Sequence, residues 1–232
     1  ISCMSYAISE ESRESIMISE NDTGKQFRIV AEGPAIPTSV VDQMLNDLQS
    51  LSPEYLIASG SLPTSLPSDT YARFASFANK NNCKFVLDTS GDALREAADE
   101  GVFLLKPNLN ELSRLSGVEE LQLSDVDDAA MEIVTKGNCQ IVLVSMGASG
   151  AMLVTKDGYK NIPAPTVKRK STVGAGDSVV AGMVWALDQN LPIDDVAVWG
   201  VACGTAATMN EGTQLFRKED AERLFKYIKS RV

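Results

Sequence analysis

Val102-Phe103-Leu104-Leu105-Lys106-Pro107-Asn108-Leu109-Asn110-Glu111 is the stretch that decides the fold. Four apolar residues without alternation describe a short strand covered on both faces. Behind them, Asn108 stands three positions ahead of Glu111, the spacing of neighbours on one face of a helix. Three further apolar runs, Tyr55-Leu56-Ile57-Ala58, Lys84-Phe85-Val86-Leu87 and Ile141-Val142-Leu143-Val144, repeat the pattern with helical segments between them. Strands that alternate with helices pair in parallel, and ligands of such a sheet gather beyond the carboxyl ends of its strands. Ser59-Gly60-Ser61, Asp88, Lys106-Pro107-Asn108 and Ser145-Met146-Gly147 all fall on that rim.

Working outward, Val40, Val41, Met44, Leu45 and Leu48 mark the inner face of a helix before the first strand, and Tyr71, Phe74 and Phe77 form a second apolar stripe that reads as core. Lys156-Asp157-Gly158 sits between the β-prone runs 151–155 and 159–162, so an antiparallel hairpin is expected to extend the parallel sheet. A second hairpin is expected near the start, Ser15 to Ser19 and Gln26 to Val30 around the polar turn Asn21-Asp22-Thr23-Gly24. Helices dominate from Ser178 onward, broken at Leu191-Pro192 and at Asn210-Glu211-Gly212.

Ser171-Thr172-Val173-Gly174-Ala175-Gly176-Asp177-Ser178 opens that helical region. A glycine turn feeding a helix start presents free backbone N–H groups and a positive dipole end to an anion, which suits phosphate. Gly174, Ala175 and Gly176 would cradle the transferring phosphoryl group, and Asp177 beside them would take the proton of an attacking hydroxyl. The plainer reading of Asp177 is a helix cap. Asn108 and Glu111 carry the same pair of readings: oxygen ligands for Mg²⁺, acting largely through water, or caps of their own helix.

With 232 residues, 44% of them hydrophobic, the chain can bury the core of one α/β domain. A net charge of -10 argues against nucleic acid and anionic membrane as partners. The absence of histidine excludes histidine bases, so the base must be a carboxylate. Cys3, Cys83, Cys139 and Cys203 are too scattered for a metal pair; reduced, mostly buried thiols and a cytoplasmic setting are expected. No run is long and apolar enough for a membrane span.

In this order, Ser59-Gly60-Ser61-Leu62-Pro63, Asp88-Thr89-Ser90-Gly91, Lys106-Pro107-Asn108, Ser171 through Asp177 and Asn210-Glu211-Gly212-Thr213 resemble the PfkB sugar-kinase family, most closely its 6-phosphofructokinases. The resemblance runs from about Arg13 to the C-terminus and implies a ribokinase-like fold: a mostly parallel sheet covered by helices on both faces, with a small β lid. Residues 13–32 would form part of the lid and its connection, and 33–232 the nucleotide-binding core. The family's N-terminal glycine-rich sugar-binding segment is absent from the chain, which starts at Ile1; a truncated, cleaved or incomplete protein is therefore expected.

The resemblance also distributes roles. It places Lys106, Asn108, Ser145, Gly147, Gly150 and Ser171 around the nucleotide, with Val201 and Thr205 near the adenine, and it puts Glu111 beside Mg²⁺. Arg13 and Ser61 would meet the sugar, and the guanidinium suits an acceptor that is already phosphorylated. Ser171, Val173, Ala207, Asn210, Gly212 and Gln214 would surround K⁺, with Gln214 standing where an arginine is implied. The expected activity is transfer of phosphate from ATP to fructose 6-phosphate. Tagatose 6-phosphate and fructose 1-phosphate kinases are its close rivals, a ribokinase-type enzyme a more distant one, and a non-catalytic nucleotide-binding fragment or regulator the rival of another class. The family's lid commonly pairs two subunits, so a homodimer through the lid is expected.

Overall fold

The computed structural model describes residues 2–20, 22, 23 and 25–232; Asn21 and Gly24 of the expected turn lie outside them. β1 (Ser15–Ser19) and β2 (Gln26–Val30) form the expected antiparallel hairpin, with Ile16 opposite Ile29 and Ile18 opposite Phe27. There follow α1 (Thr38–Leu51), β3 (Tyr55–Ser59), α2 (Thr70–Lys80), β4 (Lys84–Asp88), α3 (Gly91–Glu100), β5 (Val102–Leu105), α4 (Leu109–Leu115), α5 (Val126–Thr135) and β6 (Cys139–Ser145). β7 (Ala151–Thr155), β8 (Gly158–Ile162), α6 (Ala175–Asp188), α7 (Ile193–Thr208) and α8 (Lys218–Lys229) complete the order.

The main sheet runs β3-β4-β5-β6-β7-β8. Its first four strands are parallel and its last two antiparallel, as the alternation of helices and the Asp157-Gly158 turn require. Helices cover both faces, which is why the strands carry no polar alternation. On one side Val86, Ile141, Leu143 and Leu153 pack with Met183, Val198 and Leu224 of α6, α7 and α8; on the other Phe85, Leu87, Val142 and Val144 meet Ala75, Leu94, Leu112 and Ile133 of α2 to α5. β3 forms one edge and has β4 as its partner.

The start of α6 differs from the sequence reading. The helix begins at Ala175 rather than Ser178, because Gly174 takes a φ of 72° at the N-cap and reverses the chain within one residue. Ser178 Oγ then donates back to Gly174 O at 2.7 Å. Gly176 and Asp177 therefore belong to the first turn of the helix rather than to a loop ahead of it. α6 and α7 are pressed together: a methyl on Gly182 would lie 2.8 Å from Trp199 O, so only glycine admits this approach. Cys83, Cys139 and Cys203 are buried free thiols, and burial pushes those of Cys139 and Cys203 up to about 12. Among the described residues no helix is long and apolar enough to cross a membrane.

Candidate active site

The carboxyl ends of β3, β4 and β5 set the floor of the site. Ser59 and Asp88 are register partners on the last rung between β3 and β4. Lys106 follows β5 and donates its backbone N–H to Leu87 O at 3.2 Å. Its Nζ lies 3.1 Å from Asp88 Oδ2, with the two side chains 7% and 18% exposed. Burial raises the Asp88 pKa above the ordinary carboxylate value, Lys106 opposes that rise, and the nearby charge of Asp177 adds to it. Desolvation thus outweighs the ion pair. The pair supports the glycine turn from below: a methyl on Gly176 would stand 3.6 Å from both Asp88 Oδ2 and Lys106 Nζ. That is ordinary contact, so a side chain at 176 obstructs a ligand rather than the fold. Gly174 is different, because its positive φ is itself unfavourable for any other residue.

Asp177 projects from the first turn of α6, exposed, and its Oδ1 accepts from Ser59 Oγ at 2.8 Å. It does not cap its helix: Gly174 holds the N-cap position, and no side-chain bond caps α6. In the turn itself Ala175 N–H donates to Thr172 O at 3.3 Å, and Gly176 N–H precedes the helical ladder.

For Asn108 and Glu111 the cap reading is realised. Glu111 N donates to Asn108 Oδ1 at 2.9 Å and Asn108 N donates to Glu111 Oε2 at 2.8 Å, a reciprocal box at the start of α4. Burial is the largest cause of a raised Glu111 pKa, countered first by the bond from Asn108 N. One carboxylate oxygen keeps acceptor capacity, and a half-buried carboxylate held against its desolvation cost fits a cation reached through water.

A cavity of about 860 Å³ extends from this floor, walled by Asn108, Ser145, Gly147, Gly150, Ala175, Gly176, Val201 and Thr205. Gly150 is obligatory there, since a methyl on it would fall 2.1 Å from Ile162 O. Ala164, Val167 and Arg169 also line the cavity and went unread in the sequence. Their segment carries no periodicity, and its only signal is its place between the edge hairpin and the glycine turn. Lys106 and Ser171 stand behind the wall rather than in it. Ser171 Oγ donates to Gly212 O at 2.7 Å and accepts from Val173 N at 3.2 Å. Asn210 Nδ2 donates to Ala206 O and Leu215 O, and Asn210 N to Ala207 O. The Ser171 hydroxyl thus joins Val173 to Gly212, and Asn210 ties the end of α7 to the segment after it through Ala206, Ala207 and Leu215. Gln214 is exposed, and its backbone N–H donates to Glu211 O at 3.2 Å. Ahead of β1, Arg13 Nη1 donates to Ser61 Oγ at 3.4 Å.

A nucleotide-sized cavity ending on a glycine turn at the rim of a helix-covered sheet is the architecture of a ribokinase-like carbohydrate kinase. The chain belongs to the pfkB family carbohydrate kinases, whose family model matches residues 1–220. It is 36% identical over 218 residues to ATP-dependent 6-phosphofructokinase isozyme 2 of Escherichia coli strain K12, a match covering 93% of this chain and 71% of that protein. It is 35% identical over 197 residues to 1-phosphofructokinase of Bacillus subtilis strain 168, covering 84% of this chain and 65% of that one. The crystal structure of phosphofructokinase-2 from Escherichia coli in complex with potassium superposes with a TM-score of 0.87 at 35% identity, over 93% of this chain and 70% of that chain. A further structure of the same Escherichia coli protein is its tetrameric inhibited form, with a TM-score of 0.84 at 33% identity over the same shares.

Lys106→Met leaves Asp88 buried without its counter-ion. The expected loss is about 3–5 kcal/mol of unfolding free energy at neutral pH. In that variant the folded-state pKa of Asp88 rises further above its unfolded value, so the deficit shrinks as pH falls and the carboxylate takes up its proton. Denaturant unfolding across the acid range measures this, and a deficit independent of pH would contradict it.

Proposed function

We propose that the protein transfers the γ-phosphoryl group of ATP to a hydroxyl of a sugar phosphate, converting fructose 6-phosphate to fructose 1,6-bisphosphate. The observation that carries this reading is the Asp177 carboxylate, free of any capping duty, beside the glycine turn at the end of the cavity. Asp177 takes the proton of the sugar hydroxyl as its oxygen attacks phosphorus. The 174–176 turn, with Lys106 beneath, stabilises charge on the transferring group. Val201 and Thr205 supply the apolar slot for adenine. Glu111, with Asn108 alongside, would hold Mg²⁺, which would supply positive charge against the nucleotide phosphates. Oxygens around Ser171 and Gly212 would hold K⁺, whose charge would help to order the turn.

Arg13 and Ser61 receive the sugar phosphate. Tagatose 6-phosphate and fructose 1-phosphate are the alternative acceptors, and similarity to a 1-phosphofructokinase favours keeping the latter. A regulator without turnover would have no use for an uncapped carboxylate at this position. In this reading 13–32 is the lid and 33–232 the core. Two copies pair through the lid: Ile16, Ile18, Phe27 and Ile29, between 48% and 56% exposed, form an apolar face that water alone covers poorly. The tetramer known for the Escherichia coli protein is an assembly of that protein. Buried free thiols suit a cytoplasmic setting.

Asp177→Asn is expected to keep ATP affinity and lose on the order of 10²–10⁴ in kcat, because an amide cannot take the proton. Nucleotide titration and initial rates on the full-length protein decide it, and near-normal turnover would refute the base.

Replacing potassium by a bulky organic cation at constant ionic strength is expected to slow the reaction. Equal rates would remove the cation from the mechanism.

Arg13→Ala is expected to raise KM for the sugar phosphate tenfold to a hundredfold while KM for ATP stays put, the loss of about 1.5–3 kcal/mol from one charged hydrogen bond. Kinetics with fructose 6-phosphate, tagatose 6-phosphate, fructose 1-phosphate and an unphosphorylated sugar test this. A preference for the last would replace the phosphofructokinase reading with a ribokinase-type one.

A further inference from the structure

We infer that Ser59 is the positioning residue of the catalytic carboxylate, holding one oxygen of Asp177 so that the other faces the acceptor hydroxyl. The inference rests on Asp177 acting as the base. Ser59 Oγ donates to Asp177 Oδ1 at 2.8 Å, across 118 residues of sequence. A carboxylate in the first turn of a helix ordinarily turns back to the N–H groups of that turn, where the dipole favours it. Here it reaches across to β3 instead, and the helix is left without a side-chain cap. An exposed serine has no desolvation reason to make this bond, since water would satisfy its hydroxyl equally well.

The serine is itself held. It ends β3, and the next residue, Gly60, is fixed from three sides: its N–H donates to Asp88 O at 2.9 Å, while its carbonyl accepts from Tyr71 Oη and Thr89 Oγ1, each at 2.9 Å. Thr89 is buried and Tyr71 half-buried, so these partners are anchored in the protein. Asp88, opposite Ser59 on the same rung, anchors Lys106. One rung of the sheet therefore orients both charged groups of the site, the base through Ser59 and the lysine through Asp88.

In the reaction Ser59 keeps its proton. The acceptor oxygen forms its bond to the γ-phosphorus, the bond to the bridging oxygen breaks with its electron pair leaving on ADP, and the hydroxyl proton passes to Asp177 Oδ2. With Oδ1 occupied, the carboxylate cannot rotate its free oxygen away from that proton.

Ser59→Ala is expected to lower kcat tenfold to a hundredfold. KM for ATP, ADP affinity by calorimetry and the melting temperature should stay at wild-type values, since the hydroxyl is exposed and touches neither nucleotide nor core. Ser59→Thr, which keeps the hydroxyl, should recover most of the lost kcat, and Ser59→Ala should cost nothing further in an Asp177→Asn background. Wild-type kcat in Ser59→Ala, no recovery in Ser59→Thr, or a full additional loss on Asp177→Asn would each overturn the inference. If Asp177→Asn is inactive while Ser59→Ala is unimpaired, the base stands and only the role of Ser59 falls. If Asp177→Asn turns over normally, the base reading falls and takes Ser59 with it.

Discussion

The site depends on one buried ion pair. Asp88 and Lys106 leave the ends of adjacent strands and meet at 3.1 Å where water hardly reaches. Neither charge is tolerable there alone, so each fixes the other. The pair also ties the rim of β4 to that of β5 and gives the glycine turn of α6 a floor to rest on. A helix start laid over a lysine puts two positive features, the ammonium group and the first-turn N–H groups, close together at this rim.

At the start of α4 a helix cap and a cation site would draw on the same two side chains. Asn108 and Glu111 satisfy each other at the N-terminus of α4, a box worth about 1 kcal/mol in typical proteins. A hydrated cation drawn to Glu111 can use the carboxylate oxygen that the box leaves over, so the cap and the ion need not exclude one another. Burial has already made the ionised carboxylate uncomfortable. A cation relieves that discomfort without requiring the helix to fray.

The strands were legible because each is a continuous apolar run, and the structure departs from them by little more than added end residues, as at Cys139 and Gln140 in β6. The hairpins were legible from their turn residues. The start of α6 was not, because sequence periodicity cannot show that Gly174 reverses the chain in one step. Asn108 and Glu111 were recognisable as a pair, yet cap and metal ligand demand the same residues at the same spacing, so only coordinates show that the box forms. The role of Ser59 is not legible in its motif, because its partner lies on another element and nothing local in either segment records the contact. The residues of 164–169 in the cavity wall belong to a segment of irregular backbone, which leaves no period to read.

β3 brings Ser59 to the site while one of its own sides is left over. Among the described residues its ladder runs to β4 alone, and Ile57 in its middle is 48% exposed. Unpaired backbone donors and acceptors beside an apolar side chain form a template onto which another extended segment can dock with its hydrogen bonds already aligned. The strand that ends in Ser59 thus lies at the edge of the sheet opposite to its antiparallel one. The same five residues combine an edge ladder with the hydroxyl that reaches across to α6.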